Sequence, residues 1–176
     1  MLYTALPLLR GWMYQYVEKT GVLNIGGEEL VDRVEAPGWV LDAALYLKGS
    51  LDAKYVRVHI EIDGPDRAFP IDFSAIGLKE FNVSMPVSFG AYLLRYDDTN
   101  KVYVGAVTPS NPIPFSKRFE VKLIAPSSPV EEASSKPIKY HATYSLAKII
   151  DAREFRRSLL ELLWPTRILE RGEIKL

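Results

Sequence analysis

Tyr55-Val-Arg-Val-His-Ile-Glu-Ile-Asp63 decides the fold. Val56, Val58, Ile60 and Ile62 share one parity, while Arg57, His59, Glu61 and Asp63 share the other. A period of two puts the first set on the buried face of a β-strand and the second on its wet face. The same texture recurs downstream. Arg118 to Ile124 alternates inward Phe119, Val121 and Leu123 with outward Arg118, Glu120 and Lys122, and Ile138 to Tyr144 alternates again. Trp39 to Lys48 is a longer, nearly continuous apolar run, suited to a central strand buried on both faces. Ala36-Pro37-Gly38, Gly49-Ser50, Asp63-Gly64-Pro65-Asp66 and Asp97-Asp98-Thr99-Asn100 supply turn chemistry between the runs. Such runs in series, with little helix between them, stack as antiparallel strands in layers. The expected fold is an all-β, antiparallel β-sandwich, jelly-roll-like, with a C-terminal α-helix.

The remaining segments fit around that frame. Trp12 to Val17 reads as a first strand or arm with Trp12, Tyr14 and Tyr16 on one face, and Glu29 to Glu35 as a short strand. Pro70 demotes Ala68 to Phe73 to an edge strand or bulge. Ser74 to Pro86 is expected to cross irregularly from one sheet to the other. Ser88 to Tyr96 and Lys101 to Val107 form a hairpin, followed by an extended loop at Ser110 to Pro114. Pro126 to Pro137 has the composition of a long loop or linker. The sandwich domain then covers residues 1–150, and a helix and tail cover 151–176. Asp151 caps that helix, with Glu154 completing a capping box and Pro165 stopping it after Trp164.

Composition narrows the function classes. At 176 residues with 48% apolar content, the chain supports one ordinary core. Lys+Arg and Asp+Glu balance at 22 each, which argues against a nucleic-acid coat. The sequence has no cysteine, which excludes disulfides, thiolate metal sites and cysteine nucleophiles. Glutamine occurs only at Gln15, and asparagine only at Asn24, Asn82, Asn100 and Asn111, a pattern that leans towards a hot environment. Met1 to Leu9 is apolar but too short to span a bilayer, and it lacks the marks of a secretory signal. It is expected to be a strand or arm, and no membrane span is expected.

Chemical motifs are sparse. His59 and His141 sit at outward strand positions, where they would have to meet to bind a metal or act as a base. The Asp63, Asp66 and Asp72 cluster, like Asp97 and Asp98, has the residue types of a calcium loop but also those of ordinary turns. No cofactor is expected. Two surfaces stand out as candidate sites. Phe155, Leu159, Leu162, Leu163 and Trp164 form the apolar stripe of the C-terminal helix, opposite Arg153, Arg156, Arg157 and Glu161. That stripe packs either on its own sandwich or on a neighbouring copy, and it is the expected oligomer interface. Tyr96, Asp97, Asp98 and Asn100 form the expected surface-binding loop, with exposed tyrosines as platforms for sugar rings.

Ala36-Pro-Gly-Trp-Val-Leu41, Val58-His-Ile-Glu-Ile-Asp-Gly64, Leu94-Arg-Tyr-Asp-Asp-Thr-Asn-Lys-Val-Tyr-Val104 and Asn111-Pro-Ile-Pro-Phe-Ser-Lys-Arg-Phe-Glu-Val121 occur in that order. As an ensemble, Trp39 to Tyr144 resembles β-sandwich virion proteins of phages and archaeal viruses, including capsid and tail-surface components. The resemblance implies a non-enzymatic building block that assembles into a particle or appendage, and it carries over no functional residue. The expected role is thus a self-assembling virion protein, located in the virion or host cytoplasm and not classically secreted. Its partners would be copies of itself, other virion proteins or a surface glycan. The alternative is a carbohydrate- or cell-surface-binding sandwich module.

Overall fold

The alternation around Ile60 is realised as a strand inside the smaller of two antiparallel sheets. The computed structural model describes residues 9–64, 71–81, 91–107, 112–134 and 136–163. Among them the strands are β1 (Trp12–Leu23), β2 (Glu28–Val34), β3 (Gly38–Lys48), β4 (Arg57–Ile62), β5 (Ile71–Phe73), β6 (Ala91–Asp97), β7 (Val102–Val107), β8 (Ile113–Phe115), β9 (Phe119–Ile124) and β10 (Ile138–Ile149). A six-stranded sheet runs β1-β10-β3-β7-β6 with β8 also paired to β3, and a four-stranded sheet runs β2-β9-β4-β5. The pairings are nested: β1 with β10, β2 with β9, β3 with β7 and β8, β4 with β5. A long hairpin rolled into two layers has this order. The chain is an all-β sandwich with a C-terminal helix, α2 (Ala152–Leu163).

The core lies between the sheets. Val40, Leu45 and Leu47 of β3, with Ile138, Tyr140, Ala142, Tyr144 and Leu146 of β10, form one wall. Val58 and Ile60 of β4 and Phe119, Val121 and Leu123 of β9 form the other. The Phe119 and Tyr144 rings meet across the gap at 5.9 Å. Gly21 makes room for this wall, since a Cβ there would lie 2.5 Å from the Tyr140 ring.

Three segments depart from the sequence reading. The crossing after β5 contains a helix, α1 (Ala75–Phe81), started by Ser74, whose Oγ accepts from the Gly77 amide at 3.2 Å. Gly77 lowers the helix propensity of this short run, and burial of Ala75 and Leu78 overrides it. The extended loop at 110–114 is replaced from Ile113 by β8, which pairs with Gly38 to Val40. Glu120 is not wet. It is 1% exposed, held under Arg33 and Lys122 at 2.7 and 2.8 Å.

The helix α2 begins as expected, with Asp151 Oδ1 accepting from the amides of Arg153 and Glu154 at 2.9 and 3.0 Å. Its apolar stripe turns onto its own sheet. Phe155 is buried with Leu9, Leu41 and Ala147, its ring 5.5 Å from that of Trp39. Leu159 and Leu162 pack partly buried against the same cluster. Gly11, at φ +74°, is the joint: its carbonyl accepts from the amides of Ile150 and Asp151, both at 2.9 Å. Of the expected oligomer-interface residues, Phe155 is enclosed within its own chain. The Leu163 side chain and Trp164 lie outside the described residues, as do Met1 to Leu8, Asp66 and the tail after Leu163.

Tyr144 is 2% exposed, and its hydroxyl has no hydrogen-bond partner among the described residues. Tyr144→Phe keeps the ring and removes an unpaired buried polar group, so it is expected to stabilise the fold by about 1 kcal/mol. For a domain this size that raises Tm by about 2–4 °C. Scanning calorimetry checks it, and a lowered Tm would mean the hydroxyl is paired in solution.

Candidate functional site: a charged clamp and an open edge

Tyr96 and Asp98 are brought together with groups remote in sequence. The 3-10 turn Leu51–Tyr55, capped by Ser50, sinks Lys54 into the sandwich end until it is 4% exposed. Its Nζ lies 3.2 Å from Asp98 Oδ1 and 2.8 Å from Glu131 Oε1. The Tyr103 hydroxyl donates to Asp98 at 2.7 Å, and the Tyr55 hydroxyl donates to Glu131 at 2.6 Å. The Tyr96 ring meets Tyr103 edge-on at 5.1 Å and has Lys79 Nζ 3.9 Å from its centroid. Burial alone would lower the pKa of Lys54, but its hydrogen bonds to Glu131 and Asp98 outweigh burial and hold it above its ordinary value. Tyr55 is pushed up to about 12 by its bond to the Glu131 carboxylate and by burial.

Residues 126–137, which read as a linker, are tied to this end. Asp52 Oδ1 accepts from the amides of Val130 and Glu131 at 3.1 and 2.7 Å. Glu132 Oε1 accepts from the Leu51 amide at 3.1 Å and pairs with Lys101 at 2.5 Å. The result is a clamp. Its carboxylates come from Asp52 of the 3-10 turn, Asp98 of the 97–100 turn and the 126–137 loop, and its cations are Lys54 of the 3-10 turn and Lys101 just before β7. No local pattern marks Asp52, Lys54, Glu131 or Glu132, because each is an ordinary loop residue until the loops meet.

Asp97 and Asn100 close their own turn. Asp97 accepts from the Asn100 backbone and side-chain amides, both at 2.9 Å, and from Arg95 at 2.7 Å. Those bonds, the Asn100 amide first, hold its carboxyl well below the usual range. The expected ligand-facing loop therefore has its carboxylates engaged within the chain. Asp63, likewise, accepts from Ser116, Lys117 and Arg118, pinning the turn between β8 and β9.

The histidines do not meet. His59 lies in the four-stranded sheet with Nδ1 3.1 Å from Asp72, and His141 lies in the six-stranded sheet with Nε2 2.7 Å from Glu18. Among the described residues no group of three or more His, Asp or Glu is placed to hold a metal ion. No helix among them is long and apolar enough to cross a membrane.

The second feature is β1. It is 12 residues long, about 40 Å at ~3.4 Å per residue, and among the described residues β10 is its one strand partner. From Met13 onward, no described strand pairs with its outer edge, and such an edge can take up a further strand. Met13, Tyr14 and Tyr16 in its first half are 45%, 55% and 56% exposed. Glu18, Lys19 and Thr20 follow, also exposed.

No family model matches the chain, and no curated protein matches it. In a search of solved structures, the chain is similar to a chain of the crystal structure of the infectious bursal disease virus VP2 subviral particle. The identity is 8% and the TM-score 0.45, over 86% of this chain and 35% of that one. The match thus spans about a third of the viral chain, and it assigns no residue here a role.

Glu132 supplies a test of the clamp. Its bond to Lys101, helped by the Leu51 amide and opposed by burial, lowers its carboxyl from 4.5 to about 2. The unfolded chain therefore binds that proton more tightly. The clamp's contribution is full above about pH 4.5 and is lost as pH falls towards about 2. Glu132→Gln is expected to lower Tm at neutral pH and to make the acid decline shallower. Thermal melts against pH check this, and parallel curves for the two proteins would contradict it.

Proposed function

We propose that this chain is a non-enzymatic structural subunit that associates with copies of itself through the open edge of β1. The observation that carries the reading is the apolar half of that edge, with Met13, Tyr14 and Tyr16 each about half exposed on a strand edge that no described strand covers. Exposed edges of this length are ordinarily blunted by charge, bulges or a covering segment. Here the charged residues Glu18 and Lys19 interrupt only the second half. Pairing is therefore limited to Met13 to Val17, which favours a defined contact over open-ended stacking. Phe155, Leu159 and Leu162 of α2 are directed inward, which favours association through the strand edge over association through those residues. The nested strand order supports a jelly-roll reading of the sandwich. The resemblance of residues 39–144 to β-sandwich virion proteins supports placing the subunit in a capsid or appendage, where its partners are further copies or other virion proteins.

Light scattering across a wide concentration series tests it. The wild-type chain is expected to form a defined oligomer, and Met13→Lys/Tyr16→Lys is expected to shift it to the single-chain mass with its circular dichroism unchanged. A wild-type chain that stays at the single-chain mass throughout, or a double variant that assembles equally well, refutes the β1 contact.

A further inference from the structure

The outer face of the six-stranded sheet is covered at one end, where Phe155 of α2 packs over Leu41 and Ala147. No described residue covers the other end. There β1, β10 and β3 form a groove of about 380 Å³ lined by Thr20, Val22, Tyr46, Lys48, Lys139 and His141. The register builds it in two rows, Val22–Lys139–Lys48 and Thr20–His141–Tyr46. These positions alternate with buried Ile138, Tyr140 and Leu47, so the strand period itself directs them outward.

Lys48 and Lys139 are direct cross-strand partners on one face. Like charges in that relation destabilise a sheet. Among the described residues neither lysine is in an ion pair with a carboxylate, and Lys48 Nζ lies 5.6 Å from the centroid of the Tyr46 ring. Elsewhere the fold compensates the same problem. Glu61 and Glu120 are also direct partners, and they are met by Arg118, Arg33 and Lys122. Two exposed cations side by side in the groove, with no carboxylate partner among the described residues, concentrate anions there.

Beside the lysines, Tyr46 offers a flat apolar ring, and the pair formed by His141 and Glu18 at 2.7 Å, with the Thr20 hydroxyl, offers hydrogen-bond donors and acceptors. The volume falls within the ~300–1,000 Å³ typical of small-molecule sites. We propose that this groove binds an acidic saccharide, with a sugar ring against Tyr46 and its carboxylate or sulfate between Lys48 and Lys139. A nucleic-acid strand calls for a longer track of cations, and an acidic peptide would leave the aromatic surface without a purpose. This site is separate from the 96–100 loop, and it does not depend on assembly through β1.

The test is calorimetric titration of the full chain with four probes: a sulfated or uronate-containing disaccharide, a neutral disaccharide of equal size, inorganic sulfate, and an Asp/Glu-rich peptide. The acidic disaccharide is expected to bind, with the neutral one weaker by about tenfold or more, as losing charged hydrogen bonds implies. Lys48→Gln/Lys139→Gln is expected to lose that binding while melting at or above the wild-type temperature, because the repulsion is gone. Tyr46→Ala is expected to weaken the disaccharide and leave inorganic sulfate unchanged. The proposal is overturned if the acidic disaccharide fails to bind, if the double lysine variant binds it equally, if Tyr46→Ala has no effect, or if the peptide binds more tightly. Repeating the titration in Met13→Lys/Tyr16→Lys separates this outcome from any failure of the assembly reading, since that variant leaves the groove intact.

Discussion

The insertion of β10 between β1 and β3 is the constraint on which the other parts depend. Over 12 residues it pairs with β1 on one side and, with one register shift at Ser145/Leu146, with β3 on the other. Its inward residues Ile138, Tyr140, Ala142, Tyr144 and Leu146 make up much of the core wall. Its last outward residues receive the helix, because Ala147 is small enough for Phe155 to lie over it. A strand this late in sequence, paired with β1 and β3, closes long loops before any contact rewards them. Local propensity alone cannot hold it, so its entry and exit are both fixed by other interactions.

The entry is fixed by charge. Asp52, Lys54, Glu131 and Glu132 tie the loop preceding β10 to the 3-10 turn and to the start of β7. Lys54 is almost fully buried, so each of its hydrogen bonds replaces lost hydration; removing both carboxylates would leave its charge stranded in a poor solvent. The exit is fixed by the backbone joint at Gly11, where the start of the chain accepts from the turn that launches α2. Ser158 and Arg10 continue the seam, with the Arg10 amide donating to Ser158 Oγ at 3.0 Å. Among the described residues, the β1 edge from Met13 and the lysine groove at the end of the outer face away from α2 remain uncovered. The surfaces assigned to partners are those that remain.

Much of this architecture is legible locally. Val56 to Ile62, Phe119 to Leu123 and Ile138 to Tyr144 fall on their predicted faces because a pleated strand allows only two directions for a side chain. Asp151 capped its helix because a cap is a contact between residues two and three apart. Helix α1 was hidden because Gly77 depresses a run too short to show a period. Glu120 was misplaced because its parity is right but its burial depends on Arg33 and Lys122 from other positions in the sheet. The helix stripe was legible as apolar, yet nothing along it distinguishes its own Trp39 from a neighbour's surface.

What the sequence by itself determined is therefore the sandwich, its strand faces and the capped terminal helix, each set by periods of two or about 3.6 residues within one segment. What only the tertiary structure decided is which charges meet and which do not. Lys54 found Asp98 and Glu131, while Lys48 and Lys139 were set side by side with no carboxylate partner among the described residues. Pairing register and loop docking bring groups tens of residues apart to within a few ångströms. That juxtaposition, which no local pattern encodes, separates a closed clamp from a groove lined by two lysines.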